Sequence, residues 1–222
     1  MTRTLRQLRL LGLVLLGLTF LPVPPSHAAP GAATITYRRV FKGSTPEFTE
    51  IKVSDQGKCT FDLRQLDDDA DPEPFEVGAP VRQKIFELAG NLKNFEIPSL
   101  DIQKKIANLG QKTLRYQRDS EVHETSFNYT LNTAANELMQ IFEGLARQQG
   151  DLVLLQQRIK YDHLGVNDAL LQFESDMDHR LLPEPERLLP VLDQIDADSR
   201  FMQIARTRAR ALAQRIRDSQ GH

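Results

Sequence analysis

The apolar residues of this 222-residue chain change period part way along, and that change limits the folds open to it. Up to about residue 131, short runs alternate apolar and polar side chains, as a half-buried strand requires. From Asp151 onward no run alternates. Apolar residues recur there at steps of three and four, the helical period.

The alternating runs are Thr34–Phe41, Phe48–Val53, Cys59–Leu66, Gln111–Gln117 and Val122–Leu131, with KGSTPE, SDQGK and RDSE as turns. An acidic loop, DDDADPEP, leads from the third strand to a helix. Pro80 suits its first turn, and Val81, Ile85, Leu88, Ala89 and Leu92 form its apolar stripe. Residues 94–110 read as a connector with one helical turn near Ile102–Ile106. Asn132 or Thr133 then caps a helix with the stripe Leu138, Ile141, Phe142 and Leu145.

The tail reads as helix throughout. One segment runs from Leu152 to Gly165. A second carries Val166, Leu170, Phe173, Met177 and Leu181. A shorter one is kinked or delayed by Pro190. The last is capped by Ser199, with Phe201, Ile204, Ala205, Arg208, Ala211, Leu212 and Ile216 on one side. Strands, helix, strands, helix predicts an α+β domain over residues 29–148, an antiparallel sheet with helices on one face. An all-helical extension or hairpin over residues 149–222 follows.

The N-terminus has the form of a secretory signal peptide. Arg3, Arg6 and Arg9 precede an uncharged run, Leu10–Leu21, which Pro22, Pro24 and Pro25 break before Ser26-His27-Ala28. Twelve residues of helix reach about 18 Å, short of the ~30 Å hydrocarbon slab. Cleavage is expected after Ala28, because a cut after Ala29 would set Pro30 at the scissile bond; the alternative is an uncleaved anchor. No later segment is apolar enough to span a membrane, so no stable span remains after cleavage. The expected location is the periplasm or the extracellular space.

Loss of the leader removes three Arg, leaving 25 Lys and Arg against 30 Asp and Glu, and this balance gives no sign of a nucleic-acid partner. The single Cys59 allows no internal disulfide, so an apolar core must hold the fold. Cys59 alternates with Phe61 and Leu63 on the apolar face of its strand and reads as a small buried hydrophobe.

Apparent motifs fail at named positions. His123-Glu124 opens a zinc-protease motif, but position 127 is Phe. Asn128-Tyr129-Thr130 fits a short glycosylation sequon. Asp67, Asp69 and Asp71 match the first ligands of a calcium loop, where Pro72 and Gly78 then replace the required Gly and Glu. These three Asp remain the weak metal candidates. Asp176 and His179 lie three apart, which is two ligands and not a closed site. No phosphate-binding loop or nucleophile elbow appears, so no catalytic residue and no cofactor is assigned.

Charge is segregated in the tail. Glu174–Asp198 holds eight acidic residues and only Arg180 and Arg187 as cations, whereas Arg200–Arg217 holds six Arg and no acid. A hairpin would lay one segment against the other. The alternative is a basic arm for an unknown protein partner, with Arg206, Arg210 and Arg217 as candidate contacts.

The segments TPEFTEIKVSDQGKCTFDLRQL, FEVGAPVRQKIFELAGNLKNF and LRYQRDSEVHETSFNYTL resemble, in element order over residues 34–147, emfourin-type protease-inhibitor domains. The complete chain resembles conserved hypothetical secreted bacterial proteins. The resemblance implies an inhibitor-like binder and carries over no residue. The expected function is an exported, non-catalytic interaction module; the alternatives are that inhibitor-like binder or an enzyme whose motif is not visible in sequence. Intact mass of the recovered protein is expected to begin at Ala29, and a mass that retains residues 1–28 overturns the export reading.

Overall fold

The computed structural model describes residues 31–102 and 104–220, and the expected leader and cleavage site lie outside them. Six strands, β1 (Thr34–Val40), β2 (Phe48–Ser54), β3 (Cys59–Arg64), β4 (Glu73–Phe75), β5 (Gln111–Arg118) and β6 (Glu121–Phe127), form one antiparallel sheet in the order β4-β3-β2-β1-β5-β6. Register explains why one face is apolar. Phe61, Ile51, Tyr37 and Leu114 form one row across the sheet, and Cys59, Val53, Ile35 and Tyr116 the next. Successive side chains point to opposite faces, so all eight share a face, and all eight are buried. The other face carries polar pairs such as Arg38–Glu50 and Arg115–Glu124.

Two helices cover the apolar face. Helix α1 (Ala79–Asn91) carries the chain from the β4 edge back to β5, beside β1, and buries Ile85, Leu88 and Ala89. Helix α2 (Thr133–Tyr161) follows β6, capped by Asn132, whose side chain accepts the Ala135 N–H at 3.0 Å. Its first half adds Leu138, Phe142 and Leu145 to the same core, where Phe142 stacks on Tyr37 at 5.5 Å. The expected α+β architecture with a helical C-terminal part is the observed one.

The second core is wholly helical. It gathers Leu155 of α2, Val166, Leu170 and Phe173 of α3 (Val166–Asp178), Val191, Leu192 and Ile195 of α4 (Leu189–Ala197), and Ala205, Ala209, Leu212, Ala213 and Ile216 of α5 (Gln203–Gln220). Phe201, before α5, is 3% exposed and joins it. Helices α4 and α5 are antiparallel neighbours: Asp196 pairs with Arg210 and Asp193 with Arg217, each at 2.7 Å.

Several elements differ from the expectation. Residue 148, the expected boundary, lies inside α2, which continues unbroken through Gly150 over 29 residues, about 43 Å. The separation survives in the cores alone, the first ending at Ala146 and the second beginning at Leu155. The acidic loop contains β4, held by the pairing of Phe75 with Cys59 and by its ring lying edge-on to Phe61 at 5.8 Å. No helical turn forms at Ile102 or residues 104–106. Strand β6 ends at Phe127, not Leu131, because the Asn128 side chain binds the connector instead. It accepts the Leu109 N–H at 2.7 Å and donates to the Ala107 carbonyl at 2.8 Å. Helix α5 starts four residues after Ser199, and its stripe is turned: Ile204 and Ala211 are exposed while Ala209 and Ala213 lie inside.

A strap of residues 181–188 closes the tail against the sheet unit. Gly78 is the N-cap of α1 and has no side chain to satisfy the helix terminus. Glu184 does so from 106 residues away, accepting the Gly78 N–H at 2.7 Å. The Glu184 N–H in turn donates to the Gln148 side chain of α2 at 3.0 Å. The strap lies so close to α2 that a Cβ on Gly144 would meet the Leu181 carbonyl at 2.7 Å and the Pro183 ring at 2.8 Å.

Gly144→Ala therefore sets a helix-propensity gain of about 1 kcal/mol against a collision with backbone. The collision is expected to win, with a net loss of about 1–3 kcal/mol in a denaturant melt. In the tail, Phe201→Ala is expected to cost about 3 kcal/mol, and Arg206→Ala and Arg210→Ala under about 1 kcal/mol each. Equal costs for Phe201→Ala and the Arg variants would show that charge pairing, not burial, holds the hairpin.

Candidate functional site: a polar cavity between the two cores

Where the first core gives way to the second, α2 turns polar. Glu143, Arg147 and Asp151 are four apart and so share one helical face. They line a cavity of about 260 Å³ together with Arg39 and Thr49 of the sheet and Asp176 of α3. Leu63, Pro46 and Leu154 supply apolar wall. Arg39 belongs to a third row on the helix-facing side of the sheet, Leu63–Thr49–Arg39–Lys112–Phe127. That row carries charge because it runs beyond the apolar part of α2.

Most charges here are already engaged. Arg147 pairs with Asp176 at 3.3 Å, and Gln172 donates to the same carboxylate at 3.1 Å. Asp176 is 3% exposed whereas Arg147 is exposed, so rupture of the pair would leave the Asp176 carboxylate buried without its cation. The Tyr37 hydroxyl donates to Glu143 at 2.7 Å, and burial together with the Glu143 charge raises the phenol above its ordinary range. Lys112 is buried but donates to the carbonyls of Leu109, Gly110 and Asn128; burial lowers its pKa.

Two groups are not engaged. Asp151 is 7% exposed, and its Oδ2 is buried with no hydrogen-bond partner among the described residues. Burial first, and the Asp176 charge second, push its carboxyl up to about 7, against the opposing pull of Arg147. The Arg39 Nε is likewise buried without a partner among the described residues. The cavity therefore offers a guanidinium and a carboxyl that titrates near neutrality, beside an ion pair that is already closed.

The residues singled out in the sequence lie elsewhere, apart from Asp176. Asp67, Asp69 and Asp71 are exposed in the loop before β4, and no group of three or more His, Cys, Asp or Glu able to hold a metal forms among the described residues. Asp176 and His179 are not brought together: Asp176 is buried against Arg147, whereas His179 is exposed, with Nδ1 at 2.7 Å from the Ser175 carbonyl. His123 stacks on Tyr116 and is 3.8 Å from Glu121. The sequon Asn128 has both ends of its amide engaged, and Thr130 is buried. Cys59 is buried, and that burial raises its thiol pKa.

The basic segment is occupied internally. Arg210 and Arg217 pair with Asp196 and Asp193, and Arg206 donates to the Asp196 carbonyl at 2.9 Å. Arg208 and Arg215 pair with Glu174 of α3, and Arg200 with Asp198. Arg39, Glu143, Arg147 and Asp151 escaped the sequence reading. For Glu143, Arg147 and Asp151 the signal was the polar stretch EGLARQQGD, which interrupts the stripe of α2; Arg39 lies in the first strand and had none.

Neither a scan against protein-family models nor a search of curated proteins finds a match to this chain. The buried carboxyl gives a test of the cavity's electrostatics. A folded pKa above the unfolded value means that the folded chain holds an extra proton between about pH 4 and 7. The resulting stability is present below about pH 4 and is lost as pH rises through 7. Asp151→Asn, which never ionises, is expected to gain on the wild type across that window. The advantage should reach on the order of 4 kcal/mol at pH 8 in denaturant melts. A pH-independent difference would show that Asp151 is not desolvated.

Proposed function

We propose that the protein is an exported, non-catalytic binding module that acts in the periplasm or the extracellular space after loss of residues 1–28. The observation that supports this reading is the cavity between the two cores. Its charges are fixed by Arg147–Asp176 and Tyr37–Glu143, while Arg39 and Asp151 keep unmatched polar atoms. Such an arrangement suits holding a polar molecule in place, as small-molecule sites do: concave, partly apolar, with a few convergent polar groups. No helix among the described residues is long and apolar enough to cross a membrane.

Native mass spectrometry of the protein recovered from the cells that export it tests the proposal. The expected species is the chain from Ala29 with a non-covalent adduct that disappears on denaturation. Retention of residues 1–28, or turnover of the bound molecule on incubation, overturns it.

A second reading, a protease-inhibitor-like binder, rests on the resemblance in element order read from the sequence over residues 34–147. Inhibition of proteases secreted by the same cells would select it over the first.

A further inference from the structure

The unmatched groups of the cavity have opposite chemistry and come from different elements. Arg39 reaches it from β1, and no carboxylate pairs with that guanidinium among the described residues. Helices α2 and α3 supply Glu143, Asp151 and Asp176. Leu63 of β3 and Leu154 of α2 give the cavity an apolar wall. A planar guanidinium with no partner is suited to two parallel hydrogen bonds to a carboxylate. Ionised carboxylates accept only, so the helical side calls for a donor, best a cationic one.

The count of charges narrows the ligand further. Arg39 and Arg147 balance Glu143 and Asp176, and Asp151 is the fifth group. Ionised, it leaves the helical side one negative charge over, which an ammonium would meet. A lone anion would leave Asp151 unmatched, and a lone cation would leave Arg39 unmatched. A molecule carrying one charge of each sign matches both. The volume of about 260 Å³ is below the ~300–1,000 Å³ of sites for drug-sized ligands, so the guest is small.

We infer that this cavity binds a small zwitterionic amino carboxylate, with its carboxylate on the Arg39 guanidinium, its ammonium against Asp151, and a short aliphatic body on Leu63 and Leu154. The assignment rests on the reading of the protein as a binding module and names its ligand class. The two unmatched ends of the cavity then become the two ends of one ligand. The engaged pairs, Arg147–Asp176 and Tyr37–Glu143, hold the surrounding side chains in position.

Isothermal titration calorimetry of the full chain with L-alanine, L-valine, acetate and ethylammonium tests the inference. At least one of the two amino acids is expected to bind one to one, with acetate and ethylammonium each weaker by about tenfold or more, since each leaves one end unmatched. Arg39→Ala and Asp151→Asn are each expected to weaken the amino acid by about tenfold or more. If Arg39→Ala does not fold, Arg39→Lys takes its place; it keeps the charge, loses the planar fork and is expected to weaken binding by less. Acetate or ethylammonium binding as tightly as the amino acid overturns the inference. So does wild-type affinity in Asp151→Asn, or no binding of either amino acid. If neither amino acid binds while native mass spectrometry shows an adduct of another class, the binding module stands and the zwitterion assignment falls.

Discussion

Helix α2 is shared by two cores, and the rest of the molecule is arranged around that fact. Its first half buries Leu138, Phe142 and Leu145 on the sheet, and its second half buries Leu155 among the tail helices. A continuous helix cannot hinge without breaking backbone hydrogen bonds, so the two cores are fixed relative to each other by the helix itself. The strap supplies a second attachment. Glu184 completes the N-terminus of α1, and Pro183 rests on Gly144. The polar cavity lies within this double connection, between the sheet, α2 and α3.

The distribution of charge follows from the same geometry. A helix that passes from one core to another has a middle that neither core covers with apolar side chains. In α2 that middle carries Glu143, Arg147, Gln148 and Asp151. Burying such groups is unfavourable unless they are paired: Glu143 pairs with Tyr37, Gln148 with the Glu184 backbone, and the exposed Arg147 reaches the buried Asp176. The rim pairs of α4 and α5 differ in kind. Arg210–Asp196 and Arg217–Asp193 face water, where a pair contributes only about 0–1 kcal/mol. They match the register of the hairpin, whereas Phe201, Leu212 and Ile216 hold it.

Two kinds of feature were legible in the sequence for a physical reason: each is encoded by neighbours in the chain. The alternation of Cys59, Phe61 and Leu63, or of Ile35 and Tyr37, is a local pattern that a strand must bury on one face. Asn132 as a cap and Pro80 in a first turn are equally local. Strand β4 was not legible, since three residues with a central proline carry no periodic signal and depend on Cys59 and Phe61 across the sheet. The phase of α5 was misread at Ile204 and Ala211 because small residues, Ala209 and Ala213, fill the inner face where helices approach closely.

Sequence by itself determined that the N-terminal part would be strands with helices and the tail all helix, because hydrophobic period is a property of consecutive residues. It set an acidic segment beside a basic one in the tail, and the structure decided that the two pair with each other. Tertiary structure alone decided that Gly78 would be capped by Glu184 and that Gly144 would lie beneath Pro183. It alone brought Arg39, Asp151 and Asp176 to one cavity. Arg39 lies more than a hundred positions from the two Asp, and what makes them a site is desolvation and distance, neither of which a residue carries on its own.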